Sequence, residues 1–173
     1  AGAIRVVAGP QADHFCADTL ATFINTEYKL TGQADRMGVR LEGPPLEHLG
    51  TPEIISDATV PGSIQVPGNG RPLVLRADAQ TAGGYPKVAT VISADLSRVA
   101  DARPGQTLRF VIVEAEEGER LARAAETETR ALLSSLRPLL PGGIDEAAIY
   151  SCNLVAGFID ALSQEYRPYP EQN

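Results

Sequence analysis

Cysteine is scarce in this chain: among 173 residues there are two, Cys16 and Cys152, far apart in sequence. That excludes a disulfide framework and the spacing of a Cys-x-x-Cys metal site, and reduced, cytosolic thiols are the simplest reading. Histidine is equally rare. His14 and His48 are too few and too isolated to make a zinc cluster of about four nitrogen or sulfur ligands, so no metal site is expected. No apolar run approaches the ~20 residues of a membrane span, and no charged-then-apolar leader opens the chain, so a soluble, cytoplasmic protein without a membrane partner is expected. Positive charge is short too. Fifteen Lys and Arg against 22 Asp and Glu leave a net charge of −7, with no basic run. Nucleic acid is therefore not an expected partner, because phosphate binding needs Lys and Arg clustered on one face. Neither a Gly-x-x-x-x-Gly-Lys-Ser/Thr phosphate loop nor a Gly-x-Ser-x-Gly elbow occurs, which leaves nucleophilic serine chemistry and local ATP binding without support.

Short β-branched runs punctuated by Gly and Pro are what the chain does have. Strands are expected at Ala3–Ala8, Glu27–Leu30, Gly38–Glu42, Gly62–Val66, Pro72–Arg76, Lys87–Ser93 and Thr107–Val113. Gly9-Pro10 starts a brief helix at 11–15, and Leu20, Phe23 and Ile24 continue a helical spacing. The second and third strands make a hairpin whose charged tip is Gly32–Arg36, and Asp95 is placed to cap a helical turn reaching Ala100. The class is mainly β with flanking helices (α+β), a compact β-barrel. After Glu114 the composition shifts. Ala115–Leu136 is rich in Ala, Glu, Arg and Leu, with Gly118 its single breaker, and reads as an amphipathic helix along Leu121, Ala124, Ala125, Leu132 and Leu136. A second helix is expected over Ile144–Leu162 and a frayed tail from Arg167. Residues 1–114 thus read as the barrel and 115–173 as a helical extension.

Polar chemistry concentrates at Ala77–Leu96, where Asp78, Gln80, Thr81, Tyr85 and Lys87 surround Gly83-Gly84 ahead of an apolar strand. The glycine pair is expected to take positive φ and approach a ligand closely, Pro86 to stiffen the exit, and Lys87 to supply a mobile cation that Asp78 holds or serves as base. Three further groups sit against strands. At 9–15 the residues read either as a helix start whose Asp13 offsets the dipole or as a ligand-facing turn. Arg36 reads as a carboxylate or phosphate clamp with Asp35 orienting it or acting as base, or else the two form a surface turn, while Arg40 and Glu42 suit a solvated strand face. Gln65, polar in an apolar strand, offers a donor and an acceptor to a substrate amide or to a neighbouring loop.

Five ordered blocks carry a resemblance: Gly-Pro-Gln-Ala-Asp-His-Phe at 9–15, Asp-Arg-Met-Gly at 35–38, Arg-Leu-Glu-Gly-Pro-Pro-Leu at 40–46, Pro-Gly-Ser-Ile-Gln-Val-Pro at 61–67, and the 77–96 segment. Together they resemble the biotin-dependent carboxyltransferase or allophanate hydrolase subunit 2 family, also called KipA-like, which includes the C component of ATP-dependent 5-oxoprolinase. The resemblance spans about Ile4 to Glu114. It implies a cyclophilin-like β-barrel and only the C-terminal half of a longer subunit, in keeping with a chain that starts at Ala1 with Met37 as its sole methionine. It also implies a hydrolase subunit, inactive alone, that works with a KipI-like B component and the missing N-terminal half. With ATP at the level of the complex, the lactam of 5-oxoproline would be activated by phosphorylation and opened by water to glutamate. Asp78, Lys87 and Asp35 would be catalytic; Arg36, Gln65, Gln80, Thr81, Gly83, Gly84 and Tyr85 would bind the substrate. Two alternatives stand beside it. One is carboxyl transfer to a urea-type amide, with biotin on another chain because no Met-Lys-Met attachment motif occurs here. The other is a non-catalytic module that regulates a KipI-like protein.

Overall fold

The computed structural model describes residues 2–137 and, as backbone, two short strands near the C-terminus. In chain order the elements are β1 (Ile4–Ala8), α1 (Ala17–Asn25), β2 (Glu27–Ala34), β3 (Gly38–Glu42), β4 (Asp57–Ala58), β5 (Ser63–Gln65), β6 (Leu73–Leu75), β7 (Ala82–Gly83), β8 (Lys87–Val91), α2 (Leu96–Ala100), β9 (Thr107–Ile112), α3 (Ala115–Ser135), β10 (Gly157–Ile159) and β11 (Tyr166–Pro168). The chain divides into two compact units, Ala1–Arg130 and Ala131–Asn173.

Seven strands close a barrel in the order β1-β8-β5-β6-β3-β2-β9, as the strand pattern led one to expect. All pairs of the barrel are antiparallel except β1 with β9, where Ile4 stands opposite Phe110 and Val6 opposite Ile112. Ile64, Val74 and Val39 form one row across β5, β6 and β3, all buried. Each contributes roughly 1.5–3 kcal/mol on burial, so the alternation holds the register. A slip by one residue would turn Gln65, Leu73 and Arg40 into the core instead. Three rings meet in the buried core: Phe23 of α1 stacks on Phe110 at 4.9 Å, with Tyr28 6.0 Å from Phe23. Burial lifts the Tyr28 phenol to about 12.

Several local expectations change. Strand β2 runs on to Ala34, through most of the expected charged tip, and the turn is confined to Asp35–Met37. Asp35 makes that turn itself, its Oδ1 accepting from the Met37 N–H at 2.8 Å and the Gly38 N–H at 3.0 Å. Asp95 caps no helix with its side chain. It is buried, takes the Arg5 N–H at 2.8 Å, Nε at 3.0 Å and Nη2 at 2.7 Å, and meets Arg98 at 3.2 Å. Burial pushes its carboxyl up, but those hydrogen bonds outweigh it and hold the group below the usual carboxylate range. Gly118 is no breaker. It is where α3 meets the barrel, since a Cβ there would lie 3.2 Å from Ile92 and 3.5 Å from Val7. Along the helix Leu121 and Ala125 are half-buried, whereas Ala124, Leu132 and Leu136 are exposed.

The second expected helix fails at Gly157–Ile159, which is strand β10, paired antiparallel with β11. Gly157 is a poor helix former, and Phe158, Ile159 and Tyr166 suit a pleated pair. Arg167 and Pro168, expected to fray, are part of β11. The rest of both expectations, including Ile144 to Ala156, lies outside the described residues.

Candidate functional site

On the face opposite the core row, Gln65, Leu73 and Arg40 stand in register across β5, β6 and β3. Directly paired residues point to the same side of a sheet, so the three share a floor. The floor lies in a cleft of about 290 Å³, walled by Asp35 of the hairpin turn and by Gln80 and Tyr85 of the 77–86 loop.

Gln65 is the unusual member. It is 1% exposed, and neither Oε1 nor Nε2 has a hydrogen-bond partner among the described residues. Each unmade bond of this kind costs about 1–3 kcal/mol; Tyr28 OH and Arg76 Nε are also buried without a partner among the described residues, but neither residue lines this cleft. What covers Gln65 is Gly83: a Cβ at that position would collide with the Gln65 amide nitrogen. Gly83 and Gly84 do not adopt positive φ; Gly62, Gly70 and Gly105 do. The absence of a side chain at Gly83, not an unusual backbone, is what the site uses.

Beside the cleft, Lys87 stands opposite Gln65 at a bulge between β8 and β5. It is not the mobile cation expected, being 2% exposed with its Nζ 2.7 Å from Asp57 Oδ2. The same oxygen accepts from Gln11 Nε2 at 3.0 Å, and Gln11 Oε1 accepts the Lys87 N–H at 3.2 Å. Asp57 therefore closes a ring of three residues, with Lys87 joining through both its ammonium and its backbone N–H. It also opens β4, whose partner across the small ladder is Gly83, and the Thr59 and Ile54 N–H groups donate to Thr81 and Gly84 carbonyls at 2.9 Å. The 54–59 strap is thus tied both to the loop over Gln65 and to the buried lysine.

The remaining expected residues fall elsewhere. Asp78 does not hold Lys87; it faces Arg36 at 3.5 Å, both well exposed, in a pairing worth little. That pair edges a separate pocket of about 390 Å³ whose walls are apolar, among them Leu75, Leu96 and Val99. Thr81 is exposed and serves through its carbonyl. So the structure brings Gln65, Asp35, Gln80, Tyr85 and, through Gly83, the glycine loop together, and separates Arg36 and Asp78 from them. Asp57 is not singled out by sequence, and Gln11 enters it only as one member of the 9–15 block. The one available signal is general: a buried lysine needs an anionic partner, which the sequence leaves unnamed.

Hydrogen bonds from Lys87, then Gln11, hold the Asp57 carboxyl down from the usual 3.8 to about 2. A depressed acid contributes stability that is complete above its unfolded value and is lost as pH falls through the folded one. Protection of the Thr59 and Ile54 amides against hydrogen exchange should therefore decline between about pH 4 and pH 2, and Asp57→Asn should flatten that dependence. A strap whose protection follows the same acid profile in both proteins would contradict the ring.

Comparison with known proteins places this geometry in a wider setting. The profile of the carboxyltransferase domain, subdomain A and B, matches residues 1–112. The C component of 5-oxoprolinase from Haemophilus influenzae is 47% identical over 123 residues, which are 71% of this chain and 40% of that protein. Its Escherichia coli counterpart is 40% identical over 114 residues, 66% of this chain and 37% of that one. Among solved structures, K. lactis urea amidolyase aligns with a TM-score of 0.68 at 25% identity, covering 72% of this chain and 8% of the other. The chain therefore spans about two fifths of the length of the two curated relatives.

Proposed function

Because this chain belongs to the carboxyltransferase domain A and B family, we propose that it forms the amide-recognition wall of a 5-oxoprolinase-type enzyme, opening 5-oxoproline to glutamate with ATP. The partners in this reading are a KipI-like B component and the remainder of the C component, and the chain is inactive without them. The observation that carries the reading is the buried Gln65 amide at the cleft, without a hydrogen-bond partner among the described residues.

A five-membered lactam is locked cis, so its N–H and C=O point the same way. With the Gly83 cover displaced, the Gln65 carboxamide offers the complementary pair: Oε1 accepts the lactam N–H while Nε2 donates to the lactam oxygen. With ATP at the level of the complex, the lactam oxygen would take the terminal phosphoryl group and water would add at the carbonyl carbon. The ring C–N bond would then break with a proton passing to nitrogen, and hydrolysis of the acyl phosphate would release glutamate and phosphate. The Gln65 amide fixes the orientation of the ring for the first of these steps. Asp35, at the cleft wall, positions the attacking water. Its Oδ1 is held by two backbone N–H groups, and among the described residues Oδ2 makes no hydrogen bond. Lys87 acts indirectly, through Asp57 and the strap that carries the cover over Gln65.

ATP does not fit this cleft. A triphosphate wants several cations or a cradle of backbone N–H groups, whereas among the described residues Arg40 is the one basic side chain on the lining and no helix begins there. In this reading ATP is handled by other parts of the complex. Urea also carries N–H and C=O on one side, so the likeness to urea amidolyase keeps the biotin-dependent reading as an alternative.

The test is the complete C component purified with its partners. ATP-dependent formation of glutamate from 5-oxoproline, indifferent to avidin, is expected. Avidin-sensitive carboxylation of urea would replace this reading with carboxyl transfer, and a stable complex with no turnover would make the chain a regulatory module.

A further inference from the structure

We propose that Arg40 is the specificity-determining residue of the Gln65 cleft and that it selects a cyclic amide bearing a carboxylate over an uncharged one. This rests on the amide-recognition reading above. Arg40 and Gln65 each stand opposite Leu73, one strand to either side. At about 4.8 Å per strand their Cα atoms are about 10 Å apart, a span that both side chains can close from opposite ends onto one small molecule. Leu73 between them offers an apolar surface to ring methylenes.

Arg40 is also uncommitted. Among the described residues its side chain has neither an ion pair nor a hydrogen bond; other arginines, Arg71 and Arg109 among them, are in the same condition, but of these it is Arg40 that lines the cleft. The one carboxylate on the cleft among the described residues, Asp35, has Oδ1 engaged by the turn it builds. Thus the cleft holds the Gln65 amide, beneath its Gly83 cover, at one end and an exposed guanidinium at the other. A lactam bound to Gln65 through its N–H and C=O carries a substituent on the carbon next to nitrogen toward one side, and a carboxylate there matches the guanidinium fork. Arg36, the clamp expected from sequence, edges the other pocket and is paired with Asp78.

The experiment compares 5-oxoproline with 2-pyrrolidinone, the same lactam without its carboxylate, in calorimetric binding and turnover by the complete complex. Arg40→Gln is expected to raise the dissociation constant and KM for 5-oxoproline by about 10–100-fold, leave kcat within a few-fold, and leave 2-pyrrolidinone unaffected. Arg40→Lys should restore part of the loss, since a point charge replaces a fork. Equal weakening of both lactams, or none for either, overturns the proposal. If 5-oxoproline still binds Arg40→Gln normally but fails to bind Gln65→Leu, the amide reading survives and this inference falls. If neither lactam binds the unaltered complex, both fall.

Discussion

Gln65→Leu is expected to make the protein more stable and nearly inactive. In the native fold the Gln65 amide is buried and, among the described residues, its donor and acceptor are unmet, a cost of about 1–3 kcal/mol for each orphaned group. Leucine has a similar volume and no polar atoms, and its change of shape costs less than about 1.5 kcal/mol. The denaturation midpoint should therefore rise or hold. Activity moves the other way, because the substrate loses both its acceptor and its donor: kcat/KM for 5-oxoproline should fall on the order of 10²–10³. Few structural roles produce that combination. A glutamine that merely braced a neighbouring loop would lose stability and activity together on substitution.

Gly9→Ala is expected to cost more than about 3 kcal/mol, or to prevent folding. A Cβ on Gly9 would overlap the Lys87 carbonyl oxygen and lie 2.7 Å from the Lys87 carbonyl carbon and 2.8 Å from the Ala89 nitrogen. All of these are backbone atoms, so no rotamer change relieves the contact. The Gly9 N–H donates to Val88 at 2.9 Å, and Gln11, two residues on, reaches both Lys87 and Asp57. Forcing this corner outward therefore opens the end of the β1–β8 pairing and the three-residue ring at once. The control is Gly32→Ala, where nothing among the described residues lies within 4 Å and the change should stay within about 1 kcal/mol of the parent. Chemical denaturation of the three proteins settles the comparison. Equal midpoints would mean that the corner accommodates a methyl group.

These residues also show where sequence stops being sufficient. The barrel strands are legible because β-branched runs sit between Gly and Pro breaks, and the five blocks are ordered enough to mark the family. Glycine at position 83 stands out in the sequence for the wrong reason, because the residue type serves both positive φ and close approach, and only packing decides which. Lys87 stands out and its partner does not. Asp57 lies 30 residues away in a stretch with no periodicity, so nothing local links them. Arg36 and Arg40 exchange importance for a related reason. Sequence alternation puts Arg40 on the face away from Val39 and Leu41, but only the pairing of β3, β6 and β5 brings that face to Gln65. At Gly157–Ile159 apolar spacing suggests a helix, whereas the pairing with Tyr166–Pro168 makes a strand.

The central claim is that the Gln65 side chain itself receives the amide of the substrate. Its side-chain NH₂ resonance, assigned by its disappearance in Gln65→Leu, reports on that directly when 5-oxoproline is titrated into the complete complex. The account predicts a downfield shift of one amide proton that saturates at the same concentration as calorimetric binding. A resonance that stays in place while 5-oxoproline binding saturates would contradict it.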